Sequence, residues 1–482
     1  MSDLHDLCKF PQRPISEEYI ANLNHYLRNG IPATYTVEEA YNYINGIEDV
    51  EPLTTTTPLH LICTHVPLDL SEDEQNIVNQ FVDILFEYGA GWSFTDVNNE
   101  TPGCILIRRG LKQLPLYQKI VDAGVRAELV LRKVTEFDME VIEDTDGVKH
   151  EEFGELEYNN SNNNGSSNNI DSSTSDCVCE KNDVKNEEPI IKVEQQKGGD
   201  ILADSIKEEF ETNGNEDEKA VDDVYGKPSI EVDDDINAPS QNQVSYLDTK
   251  LEYTEDALVT KDRRDGVMMA WESDIMQLGA DALFSGVDNE KREEDSGKVQ
   301  DSEVTVLNIG FGMGIIDRMI QSKNPTKHYI CEAHPDVLNK MKKDGWFDKA
   351  NVVVLSGRWQ DELDKLLSLG NTFFDGIYYD TFSEHYLDML ELFDYVVGLL
   401  KPNGVFSFFN GLGADREVIY EVYKKLVSID LENYGLQCEF QEFPVPKDLF
   451  MNNEDKSIWD DVKRSYWSCP TYYHPVAKFM DF

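Results

Sequence analysis

Long apolar runs are missing from this chain of 482 residues; none approaches the eighteen or so a membrane span needs. The start, Met1-Ser2-Asp3-Leu4-His5-Asp6, has no basic stretch followed by an apolar one, so no secretory leader is expected. Basic residues are scarce. Lys and Arg number 43 against 93 Asp and Glu, a formal net charge of −50. That balance repels nucleic acid and anionic membranes and favours a basic protein as partner. Cysteine is sparse: eight residues scattered over the whole length read as reduced thiols of an intracellular protein rather than a disulfide framework. The one close pair, Cys177-Val178-Cys179, has no His or second pair beside it, and no metal site is expected.

What is present divides into three regions. Residues 1–137 read as an all-α domain. Tyr19, Ile20, Leu23, Tyr26 and Leu27 recur at helical spacing, and Asn29-Gly30 ends that helix. Thr57-Pro58-Leu59-His60 opens a second unit that closes at Gly89-Ala90, and Thr101-Pro102 opens a third running to Ala123-Gly124. These units resemble ankyrin repeats. They either hold a partner protein or only cap the next domain. Residues 138–240 are rich in Asn and Ser and carry 30 acids against 8 bases, almost half of the net charge. Low hydrophobicity with high like charge cannot offset chain entropy, so a disordered acidic linker is expected.

Residues 241–482 alternate strands and helices. Val304-Thr305-Val306-Leu307-Asn308-Ile309 is a strand, Gly310-Phe311-Gly312-Met313-Gly314 a tight turn, and Ile315 onward a helix. Glycine lets the backbone turn and approach a ligand, and the helix N–H groups then face it. Glu332 ends a second strand 22 residues after Gly310, placed to accept from both ribose hydroxyls. A dinucleotide fingerprint wants a third glycine where Ile315 stands, so the spacing suits S-adenosylmethionine better than NAD. Further strands run over Val352–Leu355, Phe373–Tyr379 and Val405–Phe409, with late β-rich stretches at Gln437–Phe443 and Tyr466–Phe479. Gly266 to Met276 reads as a helix beside the cofactor end of the sheet, and Lys401-Pro402-Asn403-Gly404 as a helix stop. The fold class is thus a Rossmann-like, doubly wound α/β sheet. Its strand ends gather Gly310, Glu332, Trp359 and Asp380 at one edge. Trp359 either stacks on an adenine or simply packs. Asp380 either caps its strand or meets a cationic substrate.

Four segments in order, Val267-Met268-Met269-Ala270-Trp271-Glu272, Ile309–Gly314, Gly357-Arg358-Trp359-Gln360-Asp361 and Gly376–Thr381, resemble the guanidinoacetate methyltransferase family. With ankyrin-like units attached, the chain resembles its fungal branch, the type IV protein arginine N5-methyltransferases. The resemblance implies a class I methyltransferase domain with S-adenosylmethionine as cofactor. It implies that Tyr246, Met276, Gly310, Phe311, Gly312, Met313, Gly314, Ile315, Glu332, Ala333, His334, Trp359, Gln360 and Asp380 surround that cofactor. It assigns Glu272 and Asp380 to catalysis on the guanidinium. It further implies methylation of the arginine δ nitrogen in a basic, ribosomal protein by a monomer of cytoplasm and nucleus.

Elementary chemistry agrees, since two carboxylates can grip the cationic fork bidentately and fix one nitrogen toward a methyl donor. After the fifth strand the chain departs from the small-molecule enzyme. Asn410-Gly411-Leu412-Gly413-Ala414-Asp415 offers no hydroxyl or cation to a substrate carboxylate and leaves room for a polypeptide. A small-molecule guanidino methyltransferase and a silent ankyrin adaptor are the other two classes, the second opposed by the intact Glu272 and Asp380.

Overall fold

The computed structural model describes residues 3–47, 54–136, 238–286, 303–446, 458–460, 462–463 and 465–480. Residues 138–237 of the expected linker, with Cys177 and Cys179, lie outside the described residues. The N-terminal helices up to Val134 and the described residues after the linker form one compact unit.

Among the described residues seven helices come first: α1 (Asp3–Cys8), α2 (Glu17–Arg28), α3 (Val37–Asn45), α4 (Pro58–His65), α5 (Glu72–Glu87), α6 (Pro102–Arg108) and α7 (Pro115–Glu136). Thr36 and Ser71 start α3 and α5 with reciprocal capping boxes to Glu39 and Glu74. His60 ties two units together: its Nδ1 lies 2.8 Å from the Thr57 hydroxyl and its Nε2 3.0 Å from the Phe94 carbonyl oxygen. The reading of Ala123-Gly124 as a helix stop needs correction, because α7 runs on to Glu136. Gly124 is there for close packing, since a Cβ would lie 2.7 Å from Val422 Cγ2.

The second half contains α8 (Gln243–Asp248), β1 (Leu251–Tyr253), β2 (Ala257–Thr260), β3 (Gly266–Met269) and α9 (Ser273–Ala282). Then come β4 (Thr305–Ile309), α10 (Ile315–Ser322), β5 (Lys327–Glu332), α11 (Pro335–Lys343), β6 (Val352–Ser356), α12 (Trp359–Leu369) and β7 (Phe374–Tyr379). The chain continues through α13 (Tyr386–Leu399), β8 (Leu400–Phe408), α14 (Glu417–Asn433), β9 (Leu436–Pro444) and β10 (Thr471–Phe479). Strands β4 to β10 build one sheet in the order β6-β5-β4-β7-β8-β10-β9. The first five are parallel, and β10 runs antiparallel to both neighbours. This is the mostly parallel, doubly wound sheet expected from the alternating pattern. Strand order reverses at β4, which places a crevice beyond the carboxyl ends of β4, β5 and β7.

Two local expectations change. Gly266–Met269 is a strand of a small antiparallel sheet, β1-β2-β3, and the helix starts only at Ser273 after a single 3-10 turn. Pairing of Met268 with Leu258 and of Met269 with Ala257 outweighs the helical spacing of that segment. The helix before residues 401–404 does end at Leu399, but the fifth strand already starts at Leu400: Phe374 pairs with Leu400 and Gly376 with Val405, so the intervening residues bulge out of β8.

The helical region and α14 share a core. Val418, Val422 and Leu426 are fully buried among Leu106, Ile120, Val121 and their neighbours. Lys112 bridges Glu417 and Glu421 at 2.5 Å each, and Lys425 meets Asp122 at 2.7 Å. One face of the N-terminal region is therefore a cap on the second domain. No helix among the described residues is long and apolar enough to cross a membrane.

Candidate active site

Asn308, fully buried on β4, anchors the glycine turn from below. Its Nδ2 donates to the Gly310 carbonyl at 2.8 Å and to both Asp317 oxygens at 3.0 Å. Gly310 has φ +91°, and a Cβ there would stand 1.8 Å from the Asp380 carbonyl oxygen. Only glycine lets the ends of β4 and β7 come that close. Glu332, buried at the end of β5, accepts from Phe311 N–H at 2.9 Å through Oε2 and from His334 N–H at 2.7 Å through Oε1. Burial pushes its carboxyl up, and the backbone donors of His334, Phe311, Gly312 and Ala333 oppose this.

Above this floor lies a cleft, open to solvent and walled by Tyr246, Gly310, Gly312, Glu332, Trp359 and Asp380 among others. Helix α8 straps its rim. Gln243 donates to Glu384 at 2.5 Å, and the Tyr246 ring sits 4.9 Å from Phe382 and 4.8 Å from His334. Glu384 is the hub of that rim, accepting also from Trp359 Nε1 at 2.8 Å, from the Thr381 hydroxyl at 2.6 Å and from the Tyr379 hydroxyl. With Glu332, Asp380 and Glu384 against a single Arg358 in its wall, the cleft suits a cationic ligand better than a pyrophosphate.

Asp380 leaves β7 with its N–H bonded to the Ile309 carbonyl at 2.9 Å. Its Oδ2 is enclosed and has no hydrogen-bond partner among the described residues. Burial, helped by the buried Asp317, pushes its carboxyl up to about 7. Glu272, 3% exposed, is pushed well above the carboxylate range, first by burial and then by the charge of Asp380. The Tyr466 hydroxyl donates to it. Among the described residues neither acid forms an ion pair. Two desolvated, mutually repelling acids without a cation make a hole for one.

Residues 297–434 match the family described as guanidinoacetate N-methyltransferase. Over its whole length the chain is 56% identical to a Debaryomyces hansenii protein arginine N-methyltransferase 2, all of which is covered. Proteins of the same name from Candida glabrata and Saccharomyces cerevisiae are 46% and 43% identical, over 99% of this chain and the whole of each relative. The chain belongs to the protein arginine N-methyltransferase 2 family. Its resident chemistry is methyl transfer to arginine nitrogen.

Within this family member, the expected cofactor residues fall into two sets. Tyr246, Gly310, Gly312, Glu332, Ala333, Trp359 and Asp380 line the cleft. Met276, Phe311, Met313, Gly314, Ile315, His334 and Gln360 lie outside its wall. Met276, Phe311 and Ile315 pack in the core between α9, α10 and the sheet. Gly314 caps α10 at φ +68°. Met313 N–H points at Met268 Sδ, 3.1 Å away. His334 is buried, its Nε2 3.1 Å from the Tyr246 and Thr249 carbonyl oxygens, so it braces the strap. Glu272 also stands apart from the wall, beside Asp380.

Sequence reasoning overlooked Gln243, Met268, Phe382 and Glu384 in the wall, and Tyr466 on Glu272. Only Glu384 carried a signal, four residues after Asp380 in the same loop.

Proposed function

We propose that this protein transfers a methyl group from S-adenosylmethionine to the δ (N5) nitrogen of arginine in a protein substrate. The observation that carries this is the pair of buried Glu272 and half-buried Asp380, its Oδ2 enclosed, which has no cation among the described residues and lies at an acidic cleft. S-adenosylmethionine fits that cleft: Gly310 and Gly312 carry the turn along its wall, Glu332 lines it with a carboxylate for ribose hydroxyls, and Trp359 stands beside them. When bound it supplies a methyl on a positively charged sulfur.

Glu272 and Asp380 grip the guanidinium and orient one nitrogen toward the methyl. A guanidinium nitrogen is a poor nucleophile while conjugated. As it takes the methyl it loses that conjugation and its proton becomes acidic. Asp380, with Oδ2 unpartnered, accepts the proton. The nearby carboxylates stabilise the cationic charge as it passes to the substrate.

The matched guanidinoacetate family supports the δ position. In guanidinoacetate and in arginine, one nitrogen joins the carbon chain to the guanidino carbon, and methylating it is the same reaction on either substrate. Asn410 is buried and its side chain donates to the Tyr473 carbonyl at 3.1 Å, so it is no anchor for a substrate carboxylate. A polypeptide arginine is therefore favoured. The net charge of −50 supports a basic substrate such as a ribosomal protein, and the resemblance to the fungal N5-methyltransferases adds a monomer of cytoplasm and nucleus. The paired helices α4–α5 and α6–α7 are read as ankyrin-like units whose uncovered face presents that substrate.

The test is incubation with labelled S-adenosylmethionine and either ribosomal proteins or guanidinoacetate, then fragmentation mass spectrometry of the product. Label on guanidinoacetate alone, or on an ω nitrogen, would contradict the reading.

A further inference from the structure

The acid pair has a neighbour that the reaction as described leaves unused. Tyr466 reaches Glu272 from 194 residues further along the chain. Its ring centre lies 6.1 Å from that of Trp271 and 5.1 Å from that of Trp459. It also passes over the bare Cα of Gly266, where a Cβ would sit 3.2 Å from Tyr466 Cε1. Packing on these sides fixes where the hydroxyl points.

We propose that Tyr466 is a positioning residue for the substrate guanidinium and acts through Glu272, its O–H occupying one lone pair of Oε1 and fixing the rotation of the carboxylate. Oε2 and the remaining lone pair of Oε1 then face the N–H fork of arginine. This rests on the reading of Glu272 and Asp380 as the guanidinium-binding pair.

The groups that face Glu272 come from several elements. Asp380 and Tyr378 come from β7 and its end, Tyr472 from β10, Tyr466 from the segment before β10, and a backbone hydrogen bond from Met269. Among them Asp380 is the one acid, and its charge raises Glu272, as burial does. The Tyr466 hydrogen bond acts the other way and favours the ionised form. Burial and the charge of Glu272 hold the phenol itself far above its ordinary value, so it stays a donor across the working range. Without that donor Glu272 would be less fixed and harder to ionise, and a neutral acid cannot grip a guanidinium fork.

The experiment compares wild type, Tyr466→Phe, Glu272→Gln and the two combined on an arginine peptide, after checking that each melts as wild type does and binds S-adenosylhomocysteine normally. In Tyr466→Phe, kcat/KM at neutral pH should fall about tenfold, mainly through KM for the peptide. Its acid limb should move up by about one pH unit. In Glu272→Gln the limb that remains belongs to Asp380, and adding Tyr466→Phe to that variant should no longer move it. A limb that stays in place in Tyr466→Phe, or that Tyr466→Phe still moves in the Glu272→Gln background, overturns the role of Tyr466 while leaving the arginine reading intact. A wild type that transfers no methyl to arginine removes the underlying reading, and this proposal with it.

Discussion

Gly310 and Asp380 meet backbone to backbone: a Cβ on the glycine would lie 1.8 Å from the aspartate carbonyl oxygen. The glycine turn therefore does more than clear space for a ligand. It sets where β7 ends, and so where the Asp380 carboxylate points. Gly310→Ala must either push the two strand ends apart or abandon φ +91°, a conformation that costs a residue with a side chain about 1–3 kcal/mol. The expected outcome is a loss of turnover of about a hundredfold or more together with a lower melting temperature. Steady-state rates and a thermal melt check it; near-normal turnover would show that the approach is not needed.

The raised acids predict a pH dependence. Asp380 sits near 7 and Glu272 above its usual range while no substrate cation is present. Only ionised acids hold a guanidinium, so kcat/KM should climb as pH rises through about 7 and fall off below it. A flat profile from about pH 5.5 to about pH 8.5 would refute this.

Stability runs the opposite way. An acid whose value is higher folded than unfolded binds its proton more tightly when folded. Its contribution is complete below the unfolded value near 4 and is lost as pH rises through about 7. Asp380→Asn removes that loss. The variant should be inactive yet melt higher than wild type at pH 8, by about 1 kcal/mol, and calorimetry at two pH values reads the sign.

Glu332 holds the turn as well as any ligand, since its two oxygens accept from Phe311 and His334 N–H. Glu332→Ala loses both bonds and the ribose acceptor, so affinity for S-adenosylmethionine should drop by about tenfold to a hundredfold. Titration calorimetry measures it, and unchanged affinity would remove Glu332 from the cofactor site.

The strand–turn–helix at Thr305–Ser322, the acid at 332 and the acid ending β7 were legible because each sits at a fixed place relative to a local pattern. Glycine at positive φ and a strand-end carboxylate both leave a mark in one short window. Gly266–Met269 was misread because pairing with β2 decides its state, and that partner is set by tertiary structure. Tyr466 and Gln243 were invisible for a related reason. Their contacts, to Glu272 and Glu384, span 194 and 141 residues, and no local spacing encodes them. Gly124 looked like a helix end for want of its real partner, Val422.

That partner gives the last test. In a free-standing helix, replacing glycine by alanine gains about 1 kcal/mol through propensity. Here a Cβ at Gly103 would lie 2.5 Å from Val418 Cγ2 and one at Gly124 2.7 Å from Val422 Cγ2, so both press α14 away. The sign should reverse. Gly103→Ala with Gly124→Ala should cost about 1–3 kcal/mol through overpacking, and the protein should still melt in one step, because the helical region and α14 share one core. Deleting residues 1–137 should be worse, since it bares Val418, Val422 and Leu426 to water and leaves the remainder prone to aggregate. A truncated protein that stays monomeric and melts as before would mean that the helices serve only to hold a partner and contribute nothing to the fold of the methyltransferase.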